Sequence, residues 1–199
     1  MHHRWLSLRS TSVAACVVTL AACASNAPPA PETLPAGAIA IPLQNPSFNG
    51  DAQGHFPGWT LHEHMRGNSY TFVADAVNAH SAPSSARIRR HGDEFFGLMQ
   101  QLIPIPASWL GKTARLSGYL RTEGATGTGG ALVIQARGSG GSPITHDHMD
   151  GRRATGTQGW KRYSVEVKIP PGATNLQVGA MLQDDGSLWV DDLSLVVLN

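Results

Sequence analysis

The chain has 199 residues, of which 41% are hydrophobic and 15% are charged, and its formal net charge is +1. This length allows one ordinary domain with short additional segments and excludes two large domains. The hydrophobic fraction is sufficient for a buried core, which excludes a wholly disordered chain, and the near-zero net charge excludes a bulk electrostatic attraction to nucleic acid.

The first 22 residues have the three-part pattern of an export signal. Histidines and arginines come first, an apolar run covers residues 13–20, and small residues follow it. This apolar run is too short to span a bilayer as a helix of the mature protein. Because Cys16 and Cys23 are the only cysteines of the chain, we expect the domain beyond them to have neither a disulfide nor a free thiol.

The stretch Leu20-Ala-Ala-Cys23 resembles the lipobox of bacterial lipoproteins. This resemblance implies cleavage before Cys23, diacylation of that cysteine, and stable attachment to a membrane. Because Ala24 stands where an aspartate would retain a lipoprotein in the inner membrane, it also implies an outer-membrane location, facing the periplasm or the cell surface. The alternative is a plain secretory signal cut nearby. Residues 23–42 are rich in alanine and proline, which predicts an extended tether after the lipidated cysteine.

Residues 43–199 show short apolar alternations separated by clusters of Gly, Pro, Asn and Asp, a pattern typical of an all-β domain. Alternation gives each strand one apolar and one polar face, as two stacked antiparallel sheets require. We expect turns at residues 170–172 and 184–186. The predicted strands are Trp59 to Glu63, Ser69 to Ala74, Ser85 to Arg90, Gly97 to Ile103, Ala114 to Thr122, Ala131 to Arg137, Lys161 to Ile169, Asn175 to Gln183 and Leu188 to Leu198.

Several motifs follow one another along this predicted sandwich. They are Asn45-Pro-Ser-Phe-Asn49, Pro57-Gly-Trp59, the strand with Gln100, residues 116–123, Trp160-Lys-Arg-Tyr163, Pro170-Pro-Gly172 and Trp189-Val-Asp-Asp-Leu193. In order and spacing they resemble galactose-binding-like jelly rolls, and the domain is similar to the carbohydrate-binding modules associated with cellulases. The resemblance covers residues 43–199. It implies a two-sheet jelly roll that binds a glycan without catalysis, with Trp59 and Trp160 in packing roles.

Asp191 alternates with Trp189 and Leu193 in an apolar strand, so we expect its carboxylate to point toward the sandwich interior. A buried carboxylate requires a cation or several hydrogen-bond donors. In the resembled modules, a late aspartate and an acidic residue near the first strand bind a structural calcium ion, which implies Asn49 and Asp191 as calcium ligands here. Asn49 replaces the usual glutamate and brings no charge. The alternative is that Asp191 or Asp192 caps backbone amides at a strand edge.

The resemblance places the ligand on the polar face of the second sheet. Sugars are held by flat aromatic faces against their C–H groups and by planar side chains that hydrogen-bond their hydroxyls. A merely solvated sheet face would have the same polarity, and this alternative stays open. Alternation assigns to this face the side chains of Tyr119, Arg121, Gln135, Arg137, Gln177 and Gln183.

Two histidine clusters have the character of metal ligands. They are His146-Asp-His148 with Asp150, and His62-Glu-His64. Two histidines separated by one residue on a strand face the same way and are placed to share zinc or copper, although a polar loop has the same composition. No catalytic signature motif is present. The sequence therefore predicts a glycan-binding lipoprotein without catalysis. The alternatives are a structural or protein-interaction lipoprotein of the cell envelope and, third, an enzyme that uses the His146 and His148 loop.

Overall fold

The computed structural model describes residues 34–65 and 67–199, so the predicted signal and Cys23 lie outside the described residues. In this part of the chain, no helix is long and apolar enough to cross a lipid bilayer. Within the described ranges, the one helical element is a 3-10 turn, Ala107–Trp109. The strands are β1 (Ile39–Ile41), β2 (Thr60–Glu63), β3 (Tyr70–Asp75), β4 (Ser85–Arg90), β5 (Phe96–Pro104), β6 (Thr113–Gly138), β7 (Pro143–Asp147), β8 (Ala154–Lys168), β9 (Ala173–Gln183) and β10 (Ser187–Leu198).

The strands form two layers that share the long strand β6. The first layer, called sheet I, contains β8, the first half of β6, β10, β4 and β3 in that order, and β1 pairs with the end of β10. The second layer, called sheet II, contains β2, β5, β9, the second half of β6 and β7. All these pairings are antiparallel. The predicted all-β sandwich is confirmed.

The passage of β6 from one layer to the other depends on glycine. Its register with β8 is irregular between Leu120 and Gly130, and Gly127 and Gly129 have φ values of 55° and 79°. A Cβ atom on Gly129 would lie 2.4 Å from the carbonyl oxygen of Ala154. Because only glycine tolerates both this φ and this approach, the sequence Gly127-Thr-Gly-Gly130 lets one strand serve two sheets.

The core lies between the two sheets and consists of the apolar inner faces of their strands. Leu116 and Val190 contribute from sheet I and Ile134, Val178 and Leu182 from sheet II, all fully buried. Each side chain of this size contributes roughly 1.5–3 kcal/mol through its burial, so the core accounts for the stability of a domain without cysteines.

Trp59 closes one end of the core. Its ring lies 4.6 Å from that of Phe48, and its indole N–H donates to the carbonyl of Asn45 at 2.9 Å. This is the packing role that the sequence predicts for Trp59.

All nine predicted strands are present, and the turns at residues 170–172 and 184–186 join β8 to β9 and β9 to β10. Two short strands, β1 and β7, were not predicted, and two predicted strands are halves of β6. Part of the predicted tether belongs to the sandwich, since Ile39–Ile41 pairs with residues 195–197. The Asn199 side chain also donates to the Gly37 carbonyl at 2.8 Å. The folded domain therefore begins before residue 43.

Candidate binding cleft

A cleft of about 540 Å³ lies on the outer face of sheet II. Strands β5, β9 and the second half of β6 form its floor, while β2 and the segment after β7 supply side walls. The side chains that line it are His62, Phe95, Phe96, Leu98, Gln100, Val133, Gln135, Arg137, His148, Arg153, Gln177, Met181 and Gln183.

The floor of the cleft is apolar. Leu98, Val133 and Met181 form a hydrophobic cluster of their own, separate from the main core, and Phe96 packs against it. Alternation explains this second cluster: Leu98 pairs with Met181 across β5 and β9, and both point away from the core that Met99 and its neighbours fill. Gly179 lies between Val133 and Gln100 in the sheet. Because Gly179 has no side chain, the floor of the cleft is deeper at this position.

One end of the cleft carries a hydrogen-bonded group of planar side chains. The Gln177 side-chain oxygen accepts from Gln135 Nε2 at 3.2 Å and from Arg137 Nη1 at 3.0 Å. Arg137 Nε donates to the carbonyl of Gly141 at 2.6 Å, which fixes the guanidinium against the turn before β7. Gln135 and Gln177 are register partners, so β6 and β9 present the group as one unit. These contacts pre-orient three planar polar side chains toward the cleft.

The other end carries a second group around Gln183. Arg153 Nη1 donates to the Gln183 side-chain oxygen at 3.0 Å, and Arg153 Nη2 lies 3.2 Å from Asp150 Oδ1. The Arg153 side chain is 9% exposed, whereas that of Asp150 is 71% exposed. Two polar atoms of this lining are buried without a hydrogen-bond partner, namely Arg153 Nε and Gln100 Oε1. Buried polar atoms of this kind are unfavourable until a partner satisfies them.

Aromatic and imidazole rings border the cleft. Phe95 is 55% exposed although it is large and apolar. His62 lies 6.5 Å from Phe96, measured between ring centroids. Flat rings beside planar amides are the combination that sugar rings contact.

The two histidine clusters lie at opposite walls of this cleft. His146 is the register partner of Gln135, and its ring lies 4.8 Å from that of His148. Burial, together with the neighbouring charges of His146 and Arg153, lowers the pKa of His148. His62 borders the cleft on β2, but His64 turns to Glu94 at 3.7 Å. Among the described residues, no three or more His, Cys, Asp or Glu side chains are arranged to hold a metal ion.

Tyr119 and Arg121 are not part of the cleft. They lie in the first half of β6, which belongs to sheet I, and point to its outer face. Arg121 lies over the ring of Trp189 at 5.2 Å, and Tyr119 stacks on His80 at 3.7 Å. The sequence predicts one polar face for all six residues, but the bend in β6 separates Tyr119 and Arg121 from Gln135, Arg137, Gln177 and Gln183.

Asp191 is fully buried, as predicted, but on the outer side of sheet I rather than in the interior. A bulge between Asp191 and Ser194, with Asp192 at φ 50°, shifts the alternation so that Val190 and Leu193 face the core while Asp191 does not. The loop of residues 76–84 covers Asp191. The carboxylate oxygens of Asp191 accept hydrogen bonds from the backbone N–H groups of His80 at 2.9 Å, Ser81 at 3.0 Å and Asp192 at 2.9 Å.

Asp192 joins the same loop to the strand through its side chain. It accepts hydrogen bonds from His80 Nδ1 at 2.7 Å, Ser81 Oγ at 2.7 Å and Ser47 Oγ at 2.9 Å. Although burial opposes it, these bonds hold the pKa of Asp192 below its ordinary value. Burial raises the pKa of Asp191 to about 6 despite its three amide donors. Both serines donate to Asp192 and not to His80, so the group lacks the serine-to-imidazole bond of a catalytic triad.

The contacts of Asn49 and Asp191 do not fit a shared calcium site. Calcium is held by oxygen atoms that point at the ion, whereas both oxygens of Asp191 accept N–H donors. Asn49 is exposed, and its backbone N–H and C=O are both bonded to the Asn45 side chain. The capping alternative describes the geometry of Asp191 better, and calcium binding stays a prediction of the resemblance.

Sequence reasoning missed the floor of the cleft and its far end. Met181 and Leu98 lie in strands that the sequence predicts, and Met181 falls on the polar face of its strand, but neither is among the predicted ligand-binding residues. Alternation places Met181 on the same face as Gln177 and Gln183, which is a signal for an apolar outer floor. Arg153 precedes β8 in a turn-rich segment, and nothing local indicates that it reaches Gln183.

No protein-family model matches the chain. In sequence, it is 26% identical over 121 residues to the uncharacterized HTH-type transcriptional regulator YbfP of Bacillus subtilis (strain 168). This match covers 59% of the chain and 40% of the regulator, so the chain spans less than half of that relative's length.

In fold, the chain is similar to the CBM22-1 xylan-binding domain of Xyn10C from Paenibacillus barcinonensis, with a TM-score of 0.51 and 15% identity over 77% of this chain and 92% of that domain. A xylan-binding domain from CBM 22 gives 0.53 and 18%, covering 76% and 91%. The enzymatically active domain of bacteriophage CBA120 tailspike protein 4 gives 0.57 and 13%, covering 78% of this chain and 22% of that one. At these identities the similarity shows a jelly-roll-like fold shared with carbohydrate-binding modules and with some enzyme domains.

Proposed function

We propose that the domain binds a glycan in the cleft of sheet II and performs no chemistry on it. The observation that carries this proposal is the composition of the cleft: an apolar floor of Leu98, Val133 and Met181 between two groups of planar polar side chains. An apolar strip takes the C–H face of a sugar, and the flanking amides and guanidiniums take its hydroxyls. The fold shared with xylan-binding domains supports the same function.

The absence of acidic groups from the lining supports binding rather than hydrolysis. Glycoside hydrolases generally use two carboxyl groups flanking the scissile bond. None of the side chains that line the cleft, all of them in the described part of the chain, is Asp or Glu.

A glycan-array screen of the full chain in mild detergent tests this proposal. We expect binding to at least one class of polysaccharide, and we expect Gln135→Ala with Arg137→Ala to abolish it. The matched control is Tyr119→Ala with Arg121→Ala, which removes the same number of predicted ligand side chains from sheet I. Thermal denaturation of both variants shows whether they are folded. Absence of binding by the folded wild type would overturn the proposal and favour a protein-interaction role in the cell envelope.

We also propose that Cys23 anchors this domain to the outer membrane. The support is the export signal with its lipobox and the residue after it. Incorporation of labelled palmitate by the wild type, and its loss in Cys23→Ser, is the expected result. Labelling that persists in Cys23→Ser, or a wild type without label, would overturn it.

A further inference from the structure

The lining of the cleft has basic side chains and no acidic ones. Arg137, Arg153, His62 and His148 border it, while the nearest acidic partner in the contacts of these residues is Asp150, whose side chain is mostly exposed. A concave site lined by one sign of charge concentrates ligands of the opposite sign.

Arg137 is the clearest case, because its charge has no carboxylate partner in the described part of the chain. Its Nε and Nη1 donate to two neutral oxygens, those of Gly141 and Gln177, and its Nη2 makes no hydrogen bond there. Guanidinium groups prefer bidentate, planar anions such as carboxylates. Two hydrogen bonds hold the guanidinium of Arg137 in place, so it presents an oriented positive charge, without a carboxylate partner in the described part of the chain, to a ligand in the cleft.

Arg153 offers a second cation at the opposite end. It is nine-tenths buried and its Nε has no partner. Its ion-pair partner Asp150 is mostly exposed, and the charge of Arg153 also acts on the carboxyl of Asp184. The two arginines are bonded to Gln177 and Gln183, six residues apart on β9. At ~3.3 Å per residue these anchor points are about 20 Å apart.

From this arrangement we propose that the cleft selects carboxylate-bearing glycans, with Arg137 and Arg153 receiving carboxylates from different sugars of one chain. This inference rests on the proposed glycan binding and narrows its ligand class. Neutral sugars satisfy the glutamines and the apolar floor but leave Arg137 without a counter-ion and Arg153 with only the exposed Asp150, whereas a polyuronate satisfies the glutamines, the floor and both guanidiniums. We expect affinity for acidic chains to fall with rising salt, because ion pairs at a partly open site are screened.

Calorimetric titration of the full chain in mild detergent tests the inference with polygalacturonate and alginate, each used as prepared and after chemical reduction of its carboxyl groups. At least one polyuronate should bind at least tenfold more tightly than its reduced form. Arg137→Gln should remove most of that preference, because it lowers affinity for the polyuronate far more than affinity for the reduced polymer. Arg115→Gln is the matched control, since it removes the same charge from sheet I, where Arg115 pairs with Glu166.

The outcomes separate the two proposals. Equal affinity for a polyuronate and its reduced form would overturn selection for carboxylates and leave glycan binding in place. An equal effect of Arg115→Gln and Arg137→Gln would also overturn it, since attraction would then reflect total charge. If these polymers and a panel of neutral glycans all fail to bind to the folded chain, both proposals fail.

Discussion

On the outer face of sheet I, Asp191 and Asp192 are covered by the loop of residues 76–84 and hydrogen-bonded to its backbone and side chains. On the outer face of sheet II, Gln177 and Gln183 hold arginines toward an open cleft. Both faces are polar, and on both an arginine Nε is buried without a partner, at Arg87 and Arg121 on sheet I and at Arg153 on sheet II. The carboxylates of Asp191 and Asp192, however, are hydrogen-bonded within the protein, whereas the cleft is open and its Arg137 has no carboxylate partner among the described residues. The difference assigns Asp191 and Asp192 to the stability of the fold and supports the proposal that the polar residues of the cleft serve a ligand.

The largest expected effect concerns the covered face. Asp191→Ala leaves the N–H groups of His80, Ser81 and Asp192 buried without their acceptor, so we expect a loss of about 3–5 kcal/mol in the free energy of unfolding. Asp191→Asn retains one oxygen that can accept from the loop and should cost clearly less. Urea denaturation measures both. Equal, small losses in the two variants would show that the loop does not depend on this carboxylate.

The pH dependence of stability provides a second test of the role of the Asp191 carboxyl group. Because burial raises the pKa of Asp191 from 3.8 to about 6, the folded protein keeps a proton that the unfolded chain has lost. The free energy of unfolding should therefore fall as pH rises through this range, by about 2 kcal/mol relative to Asp191→Asn between about pH 4 and pH 7. His148 contributes with the opposite sign, because its lowered pKa favours the folded state as pH rises. Parallel pH profiles of wild type and Asp191→Asn would contradict this assignment.

A smaller loss of stability is expected from Tyr119→Ala. This variant also tests whether the outer face of sheet I, rather than the cleft of sheet II, binds the sugar. On the outer face of sheet I, the ring of Tyr119 stacks at 3.7 Å on that of His80, which belongs to the loop of residues 76–84. We expect a loss of about 2 kcal/mol in stability, from the lost ring contact and burial, and no change in glycan affinity. Denaturation and calorimetric titration of the same preparation measure both quantities. A large loss of affinity with little loss of stability would move the binding site to sheet I.

In the cleft, Gln177→Ala removes the oxygen that holds Gln135 and Arg137 in place. We expect about a tenfold loss of glycan affinity, which corresponds to about 1.4 kcal/mol, with little change in melting temperature. Gln53→Ala is the control, because Gln53 is exposed in a loop and only its backbone N–H is bonded, to Asp51. Unchanged affinity in Gln177→Ala would show that the group at this end does not contact the ligand.

The smallest expected effect is that of calcium. Since the oxygens of Asp191 already accept three N–H bonds, we expect the melting temperature to be the same in millimolar calcium and in EDTA. An ion bound to the folded state at a hundredfold excess over its dissociation constant would stabilise it by about 2.7 kcal/mol. A rise of several degrees in calcium would therefore support the site implied by the resemblance.

The strands were predictable from sequence because alternation is a local property. Residues 176–182 show it clearly, and β9 occupies the predicted range. The assignment of faces was less predictable, because it depends on irregular points. The bulge after Asp191 places Leu193 on the core face while Asp191 points to the outer face, so the two residues do not share a face as simple alternation predicts. The glycines near residue 129 divide β6 between two sheets, so Tyr119 and Gln135 lie on different faces. Arg153 and Gln183 are 30 residues apart in the chain, and the local sequence around neither residue predicts their hydrogen bond.

The central claim is that a glycan occupies the cleft of sheet II, and the methionines of this chain provide a direct probe of it. Met181 lies in the floor of the cleft, Met99 and Met149 are fully buried in the core, and Met65 is exposed in a loop. In a spectrum of the chain with 13C-labelled methionine methyl groups, assigned with Met181→Leu, we expect a bound polysaccharide to shift the Met181 signal and leave that of Met65 unchanged. A polysaccharide that binds without shifting Met181 would contradict the claim.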